Sequence, residues 1–210
     1  MRISLLSWLF FIPICSLFLN FGIFVVSQSQ TCLSDQRDLL IGLKKSLKFN
    51  SSLSTKLVQW NETRFPDCCL WKGVKCSKEG RVVGLDLFNE SITGGLHHNS
   101  SLFSLQYLEY LNLAYNKLSS TIPSQFGNLT SLRNLNLSNA GYEGRVPNAI
   151  SRLTKLATLD LSTLSFLSDN TLKLVDPNLA KLVQNLSEIK ELYLDGVNIS
   201  ASGEDRKSVM

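Results

Sequence analysis

The sequence has little charge of either sign. Charged residues make up 18% of its 210 positions, and the formal net charge is +4. This balance excludes the strongly basic face of a nucleic-acid-binding protein. The apolar share of 44% excludes a disordered chain, because it can bury enough surface to offset chain entropy.

Candidate catalytic residues are equally scarce. The two histidines, His97 and His98, are adjacent in a predicted connecting turn with no candidate nucleophile beside them. Asp86 and Asp160 could pair as carboxylates only across two turns of the repeat described below, on a solvated surface. No phosphate-binding glycine loop, metal-ligand helix motif or nucleophile elbow occurs. We therefore predict no enzymatic activity, no catalytic residue, no bound metal and no cofactor.

Long apolar runs are missing after Val26. The single long run, residues 3–26, follows Arg2 and ends in small and polar residues, as a signal peptide does. We predict a signal peptide over residues 1–29, cleaved after Ser27 or Ser29, and a mature chain with no membrane span. The alternative is an uncleaved anchor, since about 20 apolar residues can cross a bilayer. Either reading sends the chain into the secretory pathway, as an extracellular protein or, if a longer form carries an anchor, a plasma-membrane-associated one.

Cysteine is sparse and confined to one end. Cys15 lies in the predicted leader, which leaves Cys32, Cys68, Cys69 and Cys76 for the mature chain. In an oxidising compartment four cysteines indicate two disulfides, and adjacent cysteines are poorly placed to bond one another. Cys32 would then pair with one of the adjacent two and Cys76 with the other. Zinc is the alternative for such a cluster, but the sequence has no Cys-x-x-Cys spacing.

Between these cysteines the spacing predicts an amphipathic helix. Ser34 or Asp35 is the candidate N-cap, and lysines follow in the later turns, where the helix dipole favours cations. Trp60 and Trp71 are expected to cover the apolar face as buried packing residues. That face is formed by Leu39, Leu40, Leu43 and Leu47.

Leucine, by contrast, is abundant, and it repeats. The chain has 39 leucines, and the pattern Leu-x-x-Leu-x-Leu-x-x-Asn-x-Leu that starts at Leu108 recurs 24 residues later at Leu132. A third copy opens at Leu156, one precedes them from Val82, and one follows from Ile189 after an insertion near 164–177. Only one turn has an asparagine at the asparagine position of this pattern, and that residue is Asn116. The other four turns place Glu90, Ala140, Leu164 and Val197 there.

This pattern predicts an α/β repeat solenoid, a right-handed coil of about five leucine-rich repeats. Each Leu-x-Leu forms a short parallel strand whose leucines point inward, and the amide of Asn116 bonds backbone groups that the bend would otherwise leave unsatisfied. The strands would form a concave face for binding a protein or peptide. The alternative is a solvated sheet face with no specific partner. The outward positions are Gly84, Ala114 and the predicted contact residues Asp86, Phe88, Tyr110, Asn112, Asn134, Asn136, Ser138, Thr158, Asp160, Ser162, Glu191, Tyr193 and Asp195.

The segment Cys32–Cys76 resembles the N-terminal cap of plant extracellular leucine-rich-repeat proteins. It carries the Asp-Leu-Leu helix, Trp60, Asp67-Cys68-Cys69, Trp71, Gly73-Val74 and Cys76. The repeats resemble more closely the receptor-like proteins of Verticillium-wilt resistance, in the runs 102–117, 128–144, 151–164 and 191–197. The resemblance implies a disulfide-stapled helical cap over residues 30–79, repeats over 80–200, a non-repeat tail over 201–210, and pairing of Cys32 with Cys68 and of Cys69 with Cys76.

The resemblance also implies a function. Receptor-like proteins of this kind sense a microbial ligand through a long extracellular solenoid, with help from co-receptor kinases. We therefore expect the ligand-binding ectodomain portion of such a receptor in plant defence, truncated relative to the family. The alternative is a free secreted binder or inhibitor of a microbial wall-degrading enzyme, although such inhibitors carry a C-terminal disulfide cap and no cysteine follows Cys76.

Glycosylation sequons are frequent, which fits a secreted chain. Asn136 is the one predicted on the concave face, where a glycan would block binding. The eight candidates are Asn50, Asn61, Asn89, Asn99, Asn128, Asn136, Asn185 and Asn198.

Overall fold

The computed structural model describes residues 31–164, 172–176 and 178–199. The predicted leader (1–29) and the predicted tail (201–210) lie outside the described residues, as do 165–171 and Pro177 within the predicted insertion. No helix among the described residues is long and apolar enough to cross a membrane.

The N-terminal cap is built on helix α1, Ser34–Ser46. Leu33 occupies the N-cap position without a side-chain bond, so the prediction of Ser34 or Asp35 as N-cap was wrong. The chain before the helix is held from outside instead, since the Cys32 N–H donates to Asp67 Oδ1 at 2.9 Å and the Leu33 N–H donates to the Gly80 carbonyl at 3.0 Å. The helix nevertheless buries the predicted face, as Leu40 and Leu43 are fully buried.

Both predicted tryptophans pack inside the cap. Trp60 and Trp71 are almost fully buried and stack with ring centroids 5.5 Å apart. Their indole N–H groups donate to the carbonyls of Lys72 and Phe65, at 3.0 and 2.8 Å. Because the rings are buried and both polar atoms are satisfied, these residues serve the cap interior, as predicted.

The described residues that follow the cap wind as a solenoid, with one ladder of strands along each of two sides. In chain order the strands are β1 (Lys48–Phe49), β2 (Val74–Cys76), β3 (Val82–Asp86), β4 (Ile92–Gly94), β5 (Tyr110–Asn112), β6 (Ser120–Thr121), β7 (Asn134–Asn136), β8 (Tyr142–Arg145), β9 (Thr158–Asp160), β10 (Leu172–Leu174), β11 (Glu191–Tyr193) and β12 (Asn198–Ile199). Helix α2, Leu179–Asn185, precedes β11, and short 3₁₀ helices occupy the same place in the preceding turns.

The first ladder is a six-stranded sheet in the order β11-β9-β7-β5-β3-β2. All its neighbours are parallel except β2, which closes the edge antiparallel to β3. The repeat leucines face one another across the strands without slip, and the first four of them are fully buried. Burying one such side chain is worth about 1.5–3 kcal/mol, so adjacent turns hold each other together. The partners in order are Leu85, Leu111, Leu135, Leu159 and Leu192.

The second ladder is a four-stranded parallel sheet in the order β12-β10-β8-β6. Strand β10 pairs with β8 on one side and with β12 on the other. Residues 172–174 therefore belong to the solenoid, and the expectation that the whole stretch 164–177 bulges outward does not hold for them. Leu172 and Leu174 are buried, because they fill the apolar interior between the two ladders.

Candidate functional site

The candidate site is the outward side of the six-stranded sheet, which we call the strand face. The strand register places its residues in three rows that run across the turns. The first row is Gly84, Tyr110, Asn134, Thr158 and Glu191, and the second is Asp86, Asn112, Asn136, Asp160 and Tyr193. The third follows two residues further on and consists of Phe88, Ala114, Ser138, Ser162 and Asp195. The predicted set is thus brought together on one surface.

Aromatic side chains stand at both ends of the strand face. Phe88, Tyr110 and Tyr193 are 43%, 39% and 46% exposed, and Phe88 packs against the neighbouring Tyr115 with ring centroids 5.3 Å apart. Aromatic side chains of this exposure supply much of the binding energy of protein interfaces when a partner covers them. They are the strongest candidate anchors on this surface.

The third row contributes less than the sequence suggested. Ser138 is only 5% exposed, because its hydroxyl turns back to donate to Asn136 Oδ1 at 2.7 Å. Ala114 is 1% exposed. Both positions point outward by strand alternation, yet neither offers contact area. The expectation of Ser138 as a contact residue is therefore corrected.

The second row has a regularity that the sequence analysis missed. In four successive turns an Asp or Asn Oδ1 accepts the backbone N–H two residues later, at 2.9–3.0 Å. Such local bonds are the ordinary property of Asp and Asn at the end of a strand, and that is the signal by which they could have been found. They hold each side chain in one orientation before any ligand arrives. The four acceptors are Asp86, Asn112, Asn136 and Asp160.

A groove of about 500 Å³ opens at the first row, where Gly84 has no side chain. Tyr110 and Asn134 continue this row, and Lys75 of β2 closes the edge. A Cβ atom at Gly84 would lie 3.0 Å from the Lys75 Cβ, so the glycine also lets β2 approach β3.

Charge on the strand face is mixed at one end and acidic at the other. Asp86 is paired with Lys56, whose ammonium lies 2.8 Å from Asp86 Oδ2. Asp160, Glu191 and Asp195 make no ion pair within the described part of the chain, although Glu191 accepts the Thr158 hydroxyl at 3.1 Å. The acidic residues of the strand face that lack an ion pair among the described residues therefore lie in the last two turns, around Tyr193.

The asparagine of the repeat behaves as predicted. Asn116 is 4% exposed; its Oδ1 accepts the Ile92 N–H at 2.9 Å, and its Nδ2 donates to the carbonyls of Leu87, Leu113 and Ala114. The amide thereby satisfies backbone groups of two successive turns. Ala140 and Val197 fill the same phase with buried apolar side chains, whereas Leu164 is 67% exposed.

Glu90, in the same phase of the first turn, has a role that the sequence did not reveal. It is fully buried, and its carboxylate accepts bonds from the Ser54 and Thr55 hydroxyls and from the N–H groups of Thr55, Lys56 and Leu57. Burial raises the pKa of the Glu90 carboxyl, but these hydrogen bonds outweigh burial and bring the pKa below its usual value. A charged side chain thus fastens the cap loop 54–57 to the first turn.

The four cysteines form the two disulfides Cys32–Cys68 and Cys69–Cys76, with Cα atoms 5.3 and 5.5 Å apart. This is the pairing that the family resemblance implied. The four sulfur atoms lie within 4.8 Å of one another, but zinc binds thiolates, and each sulfur here is oxidised. The cluster therefore staples the cap.

The candidate catalytic residues do not converge. Asp86 and Asp160 lie on strands separated by two others, and Asp86 is neutralised by Lys56. His97 and His98 line a different groove, on the side of β4 and β6.

The predicted glycosylation sites lie mostly at the surface, since seven of the eight sequon asparagines are exposed. Asn136 is the partly buried one, and its Oδ1 already accepts two bonds from Ser138.

Comparison with known families agrees with this architecture. The leucine rich repeat N-terminal domain matches residues 33–77, and the leucine rich repeat matches residues 107–129. Receptor-like protein 50 of Arabidopsis thaliana is 40% identical over 129 residues, which are 58% of this chain and 14% of that protein. Receptor-like protein 6 is 36% identical over 187 residues, 82% of this chain and 19% of that protein. The chain therefore spans less than a fifth of the length of these relatives.

Solved structures show the same fold. The BIR3–SERK2 complex from Arabidopsis thaliana matches at 29% identity and a TM-score of 0.58, over 78% of this chain and 82% of that one. The ectodomain of GASSHO1/SCHENGEN3, solved in complex with Casparian strip integrity factor 2, matches at 26% identity and 0.57, over 78% of this chain and 18% of that one. The SOBIR1 ectodomain matches at 23% and 0.61, over 81% and 84%.

Proposed function

The chain belongs to the plant leucine-rich-repeat proteins of the receptor-like type, and from this we propose that it is a ligand-binding portion of an extracellular receptor. Its ligand is a protein or peptide of microbial origin, and its role lies in defence signalling through co-receptor kinases. The observation that carries the proposal is the strand face, a surface of five parallel strands in register with exposed aromatic residues at both ends.

The strand face has two properties that favour binding. Its four Asp and Asn side chains of the second row are already held by bonds to backbone N–H groups, so little side-chain freedom is lost when a ligand docks. The Gly84 groove, about 500 Å³ beside Tyr110, has room for a ligand side chain next to an aromatic wall. Tyrosine is frequent among the residues that dominate interface energies, and polar side chains that are already ordered lower the entropy cost of binding beside it.

Two further observations support an extracellular receptor. The two disulfides are typical of proteins that pass through the oxidising secretory pathway, because the cytosol keeps thiols reduced. Among similar structures, the ectodomain of GASSHO1/SCHENGEN3 was solved with Casparian strip integrity factor 2, and BIR3 with SERK2. We extend to this chain the capacity of the fold to hold a protein ligand and a partner receptor.

The test is a selection of binding peptides on the immobilised, secreted chain from a random-peptide display library. Tyr110→Ala and Tyr193→Ala each remove an exposed ring, at opposite ends of the strand face. We expect each substitution to weaken, by about tenfold or more, the binding of those selected peptides that contact the end of the strand face where the ring was removed. Leu70→Ala and Val183→Ala are the matched controls, because these side chains are 74% and 41% exposed outside the strand face.

The controls should leave affinity within about twofold of the parent chain. Selected peptides that bind both tyrosine variants as well as the parent, or that lose binding on the control variants, would contradict the assignment of the strand face. A selection that enriches no peptide would contradict a peptide ligand.

A further inference from the structure

The second ladder is interrupted where the cap meets the solenoid. The four-stranded sheet ends at β6, whose strand neighbour is β8, and β4 of the first turn does not continue it. Strand β4 pairs instead with β1 of the cap, antiparallel, in a separate two-stranded sheet. Within the described residues, β4 and β6 are therefore edge strands of two sheets that face each other without pairing.

The sequence explains the interruption. The first turn is two residues longer than the next, since Leu85 and Leu111 are 26 positions apart while Leu111 and Leu135 are 24 apart. At Gly95 the backbone has a φ of +96°, and an added Cβ would lie 2.0 Å from the Ser46 carbonyl oxygen. Contact this close is possible only for glycine, so the chain directly after β4 lies against the end of α1.

A groove of about 430 Å³ occupies this interruption. Thr93 and Gly94 of β4 line one wall, and Ser119, Ser120 and Thr121 line the other. The two walls meet at one end, where the Lys117 N–H donates to the Ile92 carbonyl at 2.8 Å. Beyond that bond the edge of β6 faces the groove, and an edge of this kind is a template for another extended chain.

The basic residues that line the groove indicate which kind of peptide segment it can bind. Lys48, His97 and His98 line it and are exposed, and none of them makes an ion pair in the described part of the chain. No aspartate or glutamate is among the lining residues. Hydroxyl groups of the two walls supply further polar contacts. The groove therefore complements an anionic extended segment and disfavours a cationic one.

We propose that an extended acidic segment of a partner protein docks here, adding as a strand to the free edge of β6 while its carboxylates meet Lys48, His97 and His98. This second docking surface lies on the opposite ladder from the strand face, so a ligand on the strand face and a partner in the groove can be bound together. The proposal does not depend on the function proposed for the strand face.

The experiment uses the whole secreted chain and a synthetic peptide of alternating threonine and glutamate, followed by backbone NMR and amide hydrogen exchange. We expect shift changes and slower exchange at Thr93 and at Ser119–Thr121, and no change at Tyr110 or Tyr193. The same peptide with alternate backbone nitrogens methylated keeps its charge but cannot pair as a strand. It should bind about tenfold more weakly, and a threonine–lysine peptide should not bind.

Two variants test the walls of the groove. Lys48→Glu should weaken the acidic peptide about tenfold, whereas Lys155→Glu, the same charge change on an exposed lysine outside the groove, should change affinity less than about twofold. Gly94→Leu should abolish binding by occupying the groove. A Cβ there would lie 3.9 Å from Lys48 Cδ and the backbone needs no positive φ, so the variant is expected to fold.

Several results would overturn the proposal. Equal binding of the methylated peptide would show that attraction is electrostatic only, and shifts confined to the strand face would place the peptide elsewhere. Binding of an acidic oligosaccharide but of neither peptide would assign the groove to carbohydrate. Binding seen only after Asn50→Gln and Asn99→Gln would show that glycans beside the groove keep partners out of it.

Discussion

Replacing Glu90 is the sharpest test of how the cap is attached to the repeats. Its carboxylate receives two hydroxyl and three backbone N–H donors of the loop 54–57, at distances between 2.5 and 3.2 Å. In Glu90→Ala these donors lose their acceptor and a cavity remains. Each buried donor left unsatisfied costs about 1–3 kcal/mol, and water can reach part of the loop, so we expect a loss of about 3–5 kcal/mol in unfolding free energy.

Glu90→Gln separates charge from shape. One side of the amide still accepts, while its NH₂ group faces donors that formerly met an oxygen, so we expect a smaller loss of about 2 kcal/mol. The assay is chemical denaturation with disulfides intact, followed by the fluorescence of Trp60 and Trp71. Glu109→Gln, an exposed carboxylate of the strand region, is the control and should change stability by less than about 0.5 kcal/mol.

The pH dependence of the unfolding free energy provides an independent test of the role of Glu90. The pKa of Glu90 is lower in the folded chain than its ordinary value, so the folded state holds the proton less tightly than the unfolded state does. Its stabilisation is therefore complete above the unfolded pKa of about 4.3 and is lost as pH falls through the lower folded value. The gap between the parent chain and Glu90→Gln should be constant from neutral pH to about pH 5 and narrow below about pH 4. A Glu90→Ala cost below about 1 kcal/mol, or a gap that does not change in acid, would refute the reasoning.

Two further predictions concern single side chains. The buried Tyr142 hydroxyl has no hydrogen-bond partner among the described residues, so Tyr142→Phe should raise the unfolding free energy by up to about 1 kcal/mol in the same denaturation assay. A loss of stability would indicate a partner for the hydroxyl. Among the sequons, Asn136 should remain largely unglycosylated in the secreted chain while the exposed Asn128 is occupied, because Asn136 lies partly buried and bonded on the strand face. Site-resolved mass spectrometry checks this, and full occupancy of Asn136 would contradict a ligand site in that part of the strand face.

The leucine phases were sufficient to predict the strand register. Spacing of 24 residues places Leu111, Leu135 and Leu159 at the same point of successive turns, and an in-register stack is the arrangement that buries all of them. The outward rows follow from the same register by alternation. The disulfide pairing followed from the family resemblance, since spacing alone had left two pairings open.

Accessibility on the strand face was harder to predict. Alternation shows which way Ser138 points, but not that its hydroxyl turns back to Asn136 and is buried. The strand at residues 172–174 was hidden as well, because it lies in the longest turn, where the period is lost. Glu90 occupies an asparagine phase, and nothing in that pattern indicates a contact with residues 54–57, more than thirty positions earlier.

The sequence alone determined the solenoid, because a periodic stripe of leucines can leave water only between neighbouring turns, a condition that is local along the chain. Tertiary structure decided how the cap meets the first turn: the buried carboxylate of Glu90, the close approach at Gly95 and the groove between β4 and β6. These features join segments far apart in the chain, where no repeat relates one side of the contact to the other. Their geometry therefore depends on how the two units pack, which no periodicity of residues encodes.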